Sequence, residues 1–224
     1  MYQLLKDAHR ANATVGSTTH ERIKHDIIFG PLAPGAKLKL SALKERYGAS
    51  VSILRETLNS LASEGFVIAE EQRGFFVAPV SREDIEEIAN LRVLLEGHAL
   101  KLSIERGDAD WEGHLVAAHH KLHLTETQMQ AGDVSIRETW KRRDWEFHQA
   151  LIQACDSKNL LALHRIIFDK YLRYQMLVLT FRGEEAAAEH KAILEAALSR
   201  DSATAQKILE RHILAGLRHA LMVF

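Results

Sequence analysis

The sequence is poor in several things, and each shortage excludes something. One cysteine, Cys155, in 224 residues leaves no internal disulfide and fits a reducing compartment. No apolar run approaches the ~18 residues needed to cross a bilayer. The opening stretch MYQLLKDAHRANATVG also lacks the apolar core of a signal peptide, so a cytoplasmic chain with no membrane partner is expected. Net charge is nearly absent too. The total is -1 with a pI near 6.9, divided as +2 over residues 1–80 and -3 over 81–224. So slight an excess does not establish nucleic-acid binding, although it leaves the N-terminal part as the half compatible with a phosphate backbone. Catalytic signatures are missing as well: no Glu-x-x-His pair of a di-iron bundle, no His-Glu-x-x-His and no Gly-x-Ser-x-Gly. A metal-dependent bundle enzyme is therefore the weaker reading.

What is present is a 46% hydrophobic chain, enough to bury a core as one domain or two small ones. Its three prolines all punctuate: Pro31 and Pro34 in GPLAPG, and Pro79 in VAPVSRED, which places a break near residue 80. The pattern predicts an arm over 1–16, a winged helix-turn-helix over 17–79 and an all-helical domain over 80–224. The first part reads as helices in STTHERIKHDIIFG, SALKERY and SVSILRETLNSLASEG, followed by a hairpin in FVIAEEQRGFFVAPV whose glycine supplies the positive φ of a tight turn. Ser81 and Asp84 resemble a capping box opening a helix through about Arg106. Amphipathic helices then run through roughly 110–131, 135–155, 158–181, 184–200 and 202–222. The fold class is thus mainly α: a three-helix winged unit followed by an antiparallel helical bundle.

Three helices and a hairpin in about sixty residues is the order of a winged helix-turn-helix, whose last helix enters the major groove. Leu54, Leu58 and Leu61 form its inner face and leave Ser50, Ser52, Arg55, Glu56 and Asn59 outward. Ser50 and Ser52 at the helix N-terminus suit a phosphate, Arg55 can reach a guanine edge, and Arg73 with Gly74 tips the wing. The competing reading is a solvated polar helix face.

The segment RRDWEFHQALIQAC puts Asp144 and His148 four residues apart, on one stripe with Trp140, Leu151 and Cys155. His190 lies eleven residues before Asp201 and His212 eleven after it. In an antiparallel hairpin both stand ~16 Å from the turn, hence at one height. Three imidazoles and a carboxylate converging in a bundle core are a ligand set for a divalent metal such as Zn, Ni or Mn. Spacing alone leaves open that these are hydrogen-bonded core histidines. On the long helix, Ile85, Ile88, Ala89, Leu95, Ala99 and Leu102 form an apolar stripe that also contains Arg92 and Glu96. A buried Arg92 needs a partner, either Glu96 one turn on or an anionic ligand.

The stretch SVSILRETLNSLASEGFV with RGFFV resembles the DNA-binding domain of GntR-type bacterial transcription regulators, at Ser50, Arg55, Glu56, Leu58, Glu64, Gly65, Gly74, Phe75 and Val77. Val51 stands where the family usually has its first arginine and Ile53 where it has proline, which sets this chain apart from the family's usual operator sequence. RRDWEFHQALIQACDSKNL and EHKAILEAALSRD, completed by a final His, look like the helical FCD effector domain of the FadR subfamily. The resemblance implies a divalent metal on Asp144, His148, His190 and His212, whereas His119, His120 and His123 match nothing in it. It further implies a homodimer on palindromic operator DNA and a small carboxylate effector, which leans Arg92 toward the ligand. A metal that is only structural is the alternative.

Overall fold

In a computed structural model, residues 15–178 and 181–222 are described, so the arm expected over 1–16 lies almost wholly outside the described residues. Helix α1 (Val15–Phe29) leads to strand β1 (Lys37–Leu38), helices α2 (Leu40–Tyr47) and α3 (Val51–Ser63), and strands β2 (Val67–Glu70) and β3 (Gly74–Val77). Six further helices follow: α4 (Arg82–Arg106), α5 (Ala109–Gln130), α6 (Arg137–Ile152), α7 (Lys158–Val178), α8 (Gly183–Leu198) and α9 (Ser202–Leu221). Short 3-10 turns at Val134–Ile136 and Gln153–Cys155 bracket α6. The chain divides into two units, residues 1–80 and 81–224. Among the described residues no helix is long and apolar enough to cross a membrane.

In the first unit, Ile23 and Ile27 of α1, Leu43 of α2, and Leu54, Leu58 and Leu61 of α3 are buried at helical spacing. Each stabilises the unit by about 1.5–3 kcal/mol relative to exposure. Helix α2 stops where Gly48 turns left-handed at φ 69°, its N–H bonded back to the Lys44 carbonyl. Two residues later Ser50 caps α3, its Oγ accepting the Ile53 N–H at 3.3 Å. The wing differs from the expected two-stranded hairpin. Strand β1 adds to it antiparallel, giving the order β1-β3-β2 with Lys37 opposite Phe76 and Val67 opposite Val77. Two residues are too few to show an alternating period, so this strand had no signal of its own. At the wing tip Gly74 has φ 93°, and Gln72 also turns left-handed at φ 59°, so the turn does not rest on glycine alone.

The C-terminal end of α3 is tied to α1 by charge. Glu64 accepts hydrogen bonds from His20 Nε2 at 2.6 Å and from Lys24 Nζ at 3.0 Å. Burial opposes ionisation of Glu64, but these two bonds and the lysine charge outweigh it and hold the carboxyl at about 2.

In the second unit α4 packs against α6, α7 and α9, while α5 packs against α6 and α8. Ile85, Ile88, Ala89, Ala99, Leu100 and Ile104 of α4 are buried. Leu95 and Leu102, expected on the same stripe, are only half-buried. The capping box at Ser81 is half realised. Ser81 Oγ accepts the Asp84 N–H at 3.1 Å, but the Asp84 carboxylate accepts from Tyr174 Oη at 2.7 Å instead of returning to the Ser81 N–H. Tyr174 Oη takes that N–H at 3.0 Å, so a tyrosine of α7 closes the box from outside.

Because the folded Glu64 titrates below its unfolded range, its contribution is present above about 4.3 and is lost as pH falls toward 2. Glu64→Gln should therefore weaken amide protection across residues 51–63 at pH 7 by hydrogen exchange. The gap from wild type should narrow between pH 4.5 and pH 3, after correction for intrinsic exchange rates. An undiminished gap at pH 3 would mean that packing, not the ion pair, holds α3 to α1.

Candidate metal centre and nucleic-acid interface

Asp144 and His148 point inward from α6, His190 from α8 and His212 from α9, and one ligand atom from each lies within 4.8 Å of the others. All four are buried. His190 Nε2 stands 3.3 Å from His212 Nε2 and 3.4 Å from Asp144 Oδ1. His148 Nε2 is 3.9 Å from the same carboxylate oxygen and has no hydrogen-bond partner.

The outer nitrogens explain the convergence. His148 Nδ1 lies 2.5 Å from Glu96 Oε1, His190 Nδ1 2.6 Å from Glu126 Oε1, and His212 Nδ1 2.9 Å from Glu189 Oε2. Arg92 Nη2 and Arg182 Nη2 also approach the first and third of these nitrogens, but a guanidinium only donates. The carboxylate is the sole acceptor at each place, so each Nδ1 carries the proton. Three Nε2 lone pairs and an ionised oxygen are then turned toward one another with no proton between them. Such a set repels itself unless a cation fills it, and carboxylate–histidine pairs of this kind orient metal-binding imidazoles. The donors, two nitrogens on a helical hairpin plus an i, i+4 carboxylate and imidazole, fit a borderline divalent ion.

Electrostatics keep the carboxylates ionised. Burial would raise Glu96, but the Arg92 charge and the bonds from His148 and His164 hold it well below the usual carboxylate range. Asp144 is likewise held low against burial, first by Lys141, whose Nζ is 3.5 Å from Oδ2. Burial pushes His148 and His212 below the ordinary imidazole range, in His148 against the pull of Glu96.

Arg92 is fully buried and finds the nearer of its two expected partners: Nε donates to Glu96 Oε2 at 2.8 Å. Its guanidinium lies over the rings of Phe168 and Tyr171, at 4.2 and 4.8 Å. It also lines a cavity of about 20 Å³ beside the four-residue cluster, together with Lys141, Asp144, Tyr171, Gln175 and Arg182. That volume holds about one water molecule. The residues the sequence reading missed are Glu126, Glu189, Lys141, His164 and Arg182. Glu126 had a signal, standing with Leu115, Leu122 and Met129 on the buried stripe of α5, and His164 stands likewise one turn before Phe168. Arg182 precedes α8 and belongs to no periodic stripe. His120 and His123 are exposed, and His119 packs edge-on against Phe147 at 5.5 Å.

In the first unit Ser50, Ser52, Arg55, Arg73 and Gly74 are all exposed. Ser50 already spends its oxygen on the α3 cap, and Arg73 is ion-paired with Glu70 at the wing. Val51, 43% exposed, adds an apolar side chain to this otherwise polar helix start.

Residues 16–77 match the bacterial regulatory proteins of the gntR family, and residues 87–215 match the FCD domain. The HTH-type transcriptional regulator BphR of Paraburkholderia xenovorans is 34% identical over 87% of this chain and 80% of its own length. The HTH-type transcriptional repressor GlaR of Escherichia coli is 32% identical over 86% of this chain and 89% of its own. Among solved structures, McbR/YncC of E. coli superposes with a TM-score of 0.80 at 20% identity, covering 94% of this chain and 98% of that one.

Two measurements check the tautomers. Long-range ¹⁵N–¹H spectra of metal-stripped protein at pH 7 should show His148, His190 and His212 protonated at Nδ1. Because His148 and His212 resist protonation when folded, the stripped bundle should lose thermal stability as pH falls below about 6.5, where the unfolded chain takes up protons that the folded one refuses. Nε2-protonated rings would contradict the orientation given to the glutamates, and a melting temperature flat from pH 7 to 5.5 would mean that burial does not hold His148 and His212 neutral.

Proposed function

The chain belongs to the GntR family of bacterial regulatory proteins and carries an FCD domain, and from that membership we propose how its DNA binding is controlled. It is a DNA-binding transcriptional regulator, not an enzyme. In the proposed reading it binds a palindromic operator as a homodimer, with Ser50, Ser52 and Arg55 of α3 at the major groove and Arg73 and Gly74 of the wing beside it. Two-fold proteins read two-fold sites. As in the named repressor GlaR, binding would block transcription.

A divalent ion, Zn, Ni or Mn, would be held by Asp144, His148, His190 and His212. When bound, it supplies a Lewis-acidic position open to an oxygen donor. The chain's own residues do the rest. Glu96, Glu126 and Glu189 hold the three imidazoles in the binding tautomer, while Arg92 contributes positive charge to the adjoining cavity, which suits a small organic acid. That acid would alter operator affinity. The observation carrying this reading is the trio of carboxylate–Nδ1 contacts at 2.5, 2.6 and 2.9 Å, which leaves three bare Nε2 atoms at one place. A second reading, a metal that only braces the bundle, is favoured by the smallness of the cavity, about 20 Å³.

Elemental analysis of untagged protein purified without chelator should give close to one divalent metal per chain. Glu126→Gln should lower metal affinity by ~10–100-fold while leaving all four ligands in place. Protein that stays metal-free after incubation with Zn, Ni and Mn ends the metal reading. For DNA, an operator selected from random sequence should be palindromic, and Arg55→Ala should weaken it by ~1–3 kcal/mol in a gel-shift titration. An operator affinity indifferent to every small acid tested, in protein that melts on metal removal, would favour the bracing role.

A further inference from the structure

We propose that Arg182 and Lys141 form a second acid-binding subsite in the cavity, so that the effector is a small acid with two carboxylates; this rests on the effector reading above. The starting point is an unmet donor. Arg182 Nη2 donates to Glu189 Oε2 at 2.7 Å, but Nη1 is buried and has no hydrogen-bond partner, and the residue lines the cavity. A buried guanidinium N–H calls for an acceptor, and in this cavity a ligand oxygen can supply it in place of a water.

Lys141 makes the same wall. It is buried on α6, its Nζ 3.1 Å from Gln175 Oε1, 3.5 Å from Asp144 Oδ2 and 4.1 Å from the centre of the Trp140 ring, so it brings a positive charge to this wall. Arg182 stands beside His212, its Nη2 3.0 Å from Nδ1, whereas Asp144 separates Lys141 from the imidazoles. Its Oδ1 faces His190 at 3.4 Å and its Oδ2 faces Lys141. A single carboxylate taken at the imidazoles leaves Arg182 Nη1 and the Lys141 charge without a ligand oxygen, and a second carboxylate on the same small molecule supplies one. The opposite wall has no room for bulk. A Cβ on Gly216 would come 2.6 Å from Tyr171 Oη, whose proton is already given to the Ile213 carbonyl at 2.8 Å. With a volume of about 20 Å³, the cavity has to widen to admit such a ligand, which favours a short diacid over a long one.

The test uses full-length protein loaded with one divalent metal, with metal content measured in every sample so that affinities are compared at equal occupancy. Calorimetric titration with propionate, butyrate and pentanoate is set against malonate, succinate and glutarate. We expect at least one diacid to bind ~10-fold or more tightly than the monoacid of equal chain length, and the preference to collapse to less than ~3-fold in both Arg182→Gln and Lys141→Met. Using two variants with thermal melts guards against a single misfolded one. Monoacids binding wild type as tightly as diacids would overturn the second subsite and leave the single-acid effector standing. A diacid preference kept in both folded variants would also overturn it. Failure of all six acids to bind metal-loaded wild type would remove the effector reading itself and this inference with it.

Discussion

A carboxylate sealed from solvent has to be compensated on every side, and the second unit is organised around one that is. Glu96 has no exposed surface. Its Oε2 receives Arg92 Nε at 2.8 Å and His164 Nε2 at 2.9 Å, and its Oε1 receives His148 Nδ1. Those partners come from α4 itself, α7 and α6, so one charge fixes the spacing of three helices. Deleting one member of such a buried set typically costs ~3–5 kcal/mol, because the remaining charge is stranded. Arg92 is compensated in turn by the faces of Phe168 and Tyr171, which α7 supplies. The same Glu96 oxygen that braces α6 also decides which His148 nitrogen keeps its lone pair, so packing and ligand chemistry are settled by one contact.

Much of this was legible in the sequence, and the parts that were not share a cause. The helices announced themselves by apolar spacing and by caps such as Ser50 and Ser81, and the inner face of α3 read directly as Leu54, Leu58 and Leu61. The cluster of Asp144, His148, His190 and His212 was visible because two of its members share a helix turn and two stand equidistant from a hairpin turn. Neither relation needs knowledge of the rest of the fold. The glutamates behind them are different. Glu126 reaches His190 across 64 residues and Glu96 reaches His148 across 52, contacts that only helix packing specifies. A buried glutamate in an apolar stripe signals that a partner exists without saying which. Arg182, outside any stripe, gave no signal at all. In the first unit the two-residue β1 was too short to show a period, and Asp84 bonded a tyrosine of another helix where local rules pair it with Ser81.

The arrangement also bears on whether this bundle is suited to binding or to catalysis. Catalysis at a metal needs a base with an available lone pair near it. Here Glu96, Glu126 and Glu189 each hold an imidazole proton, and Asp144 faces both the cluster and Lys141. Each glutamate engages its imidazole through one oxygen, although Glu126 Oε2 has no hydrogen-bond partner, and the arrangement is suited to binding, with affinity set by how well a ligand satisfies such groups.

That last point gives the closed cavity a thermodynamic role. A ligand moves operator affinity only by its difference in affinity for two conformations, commonly ~1–3 kcal/mol. Admitting an acid to about 20 Å³ requires the bundle to open, and in a densely packed interior that opening is unfavourable. The unmet Nη1 of Arg182 works in the other direction. A ligand oxygen that accepts from this N–H adds a charge-assisted hydrogen bond to the bound form and so offsets part of that cost. A leucine-lined pocket of equal volume would offer a small acid no such bond, and opening it would gain the ligand nothing.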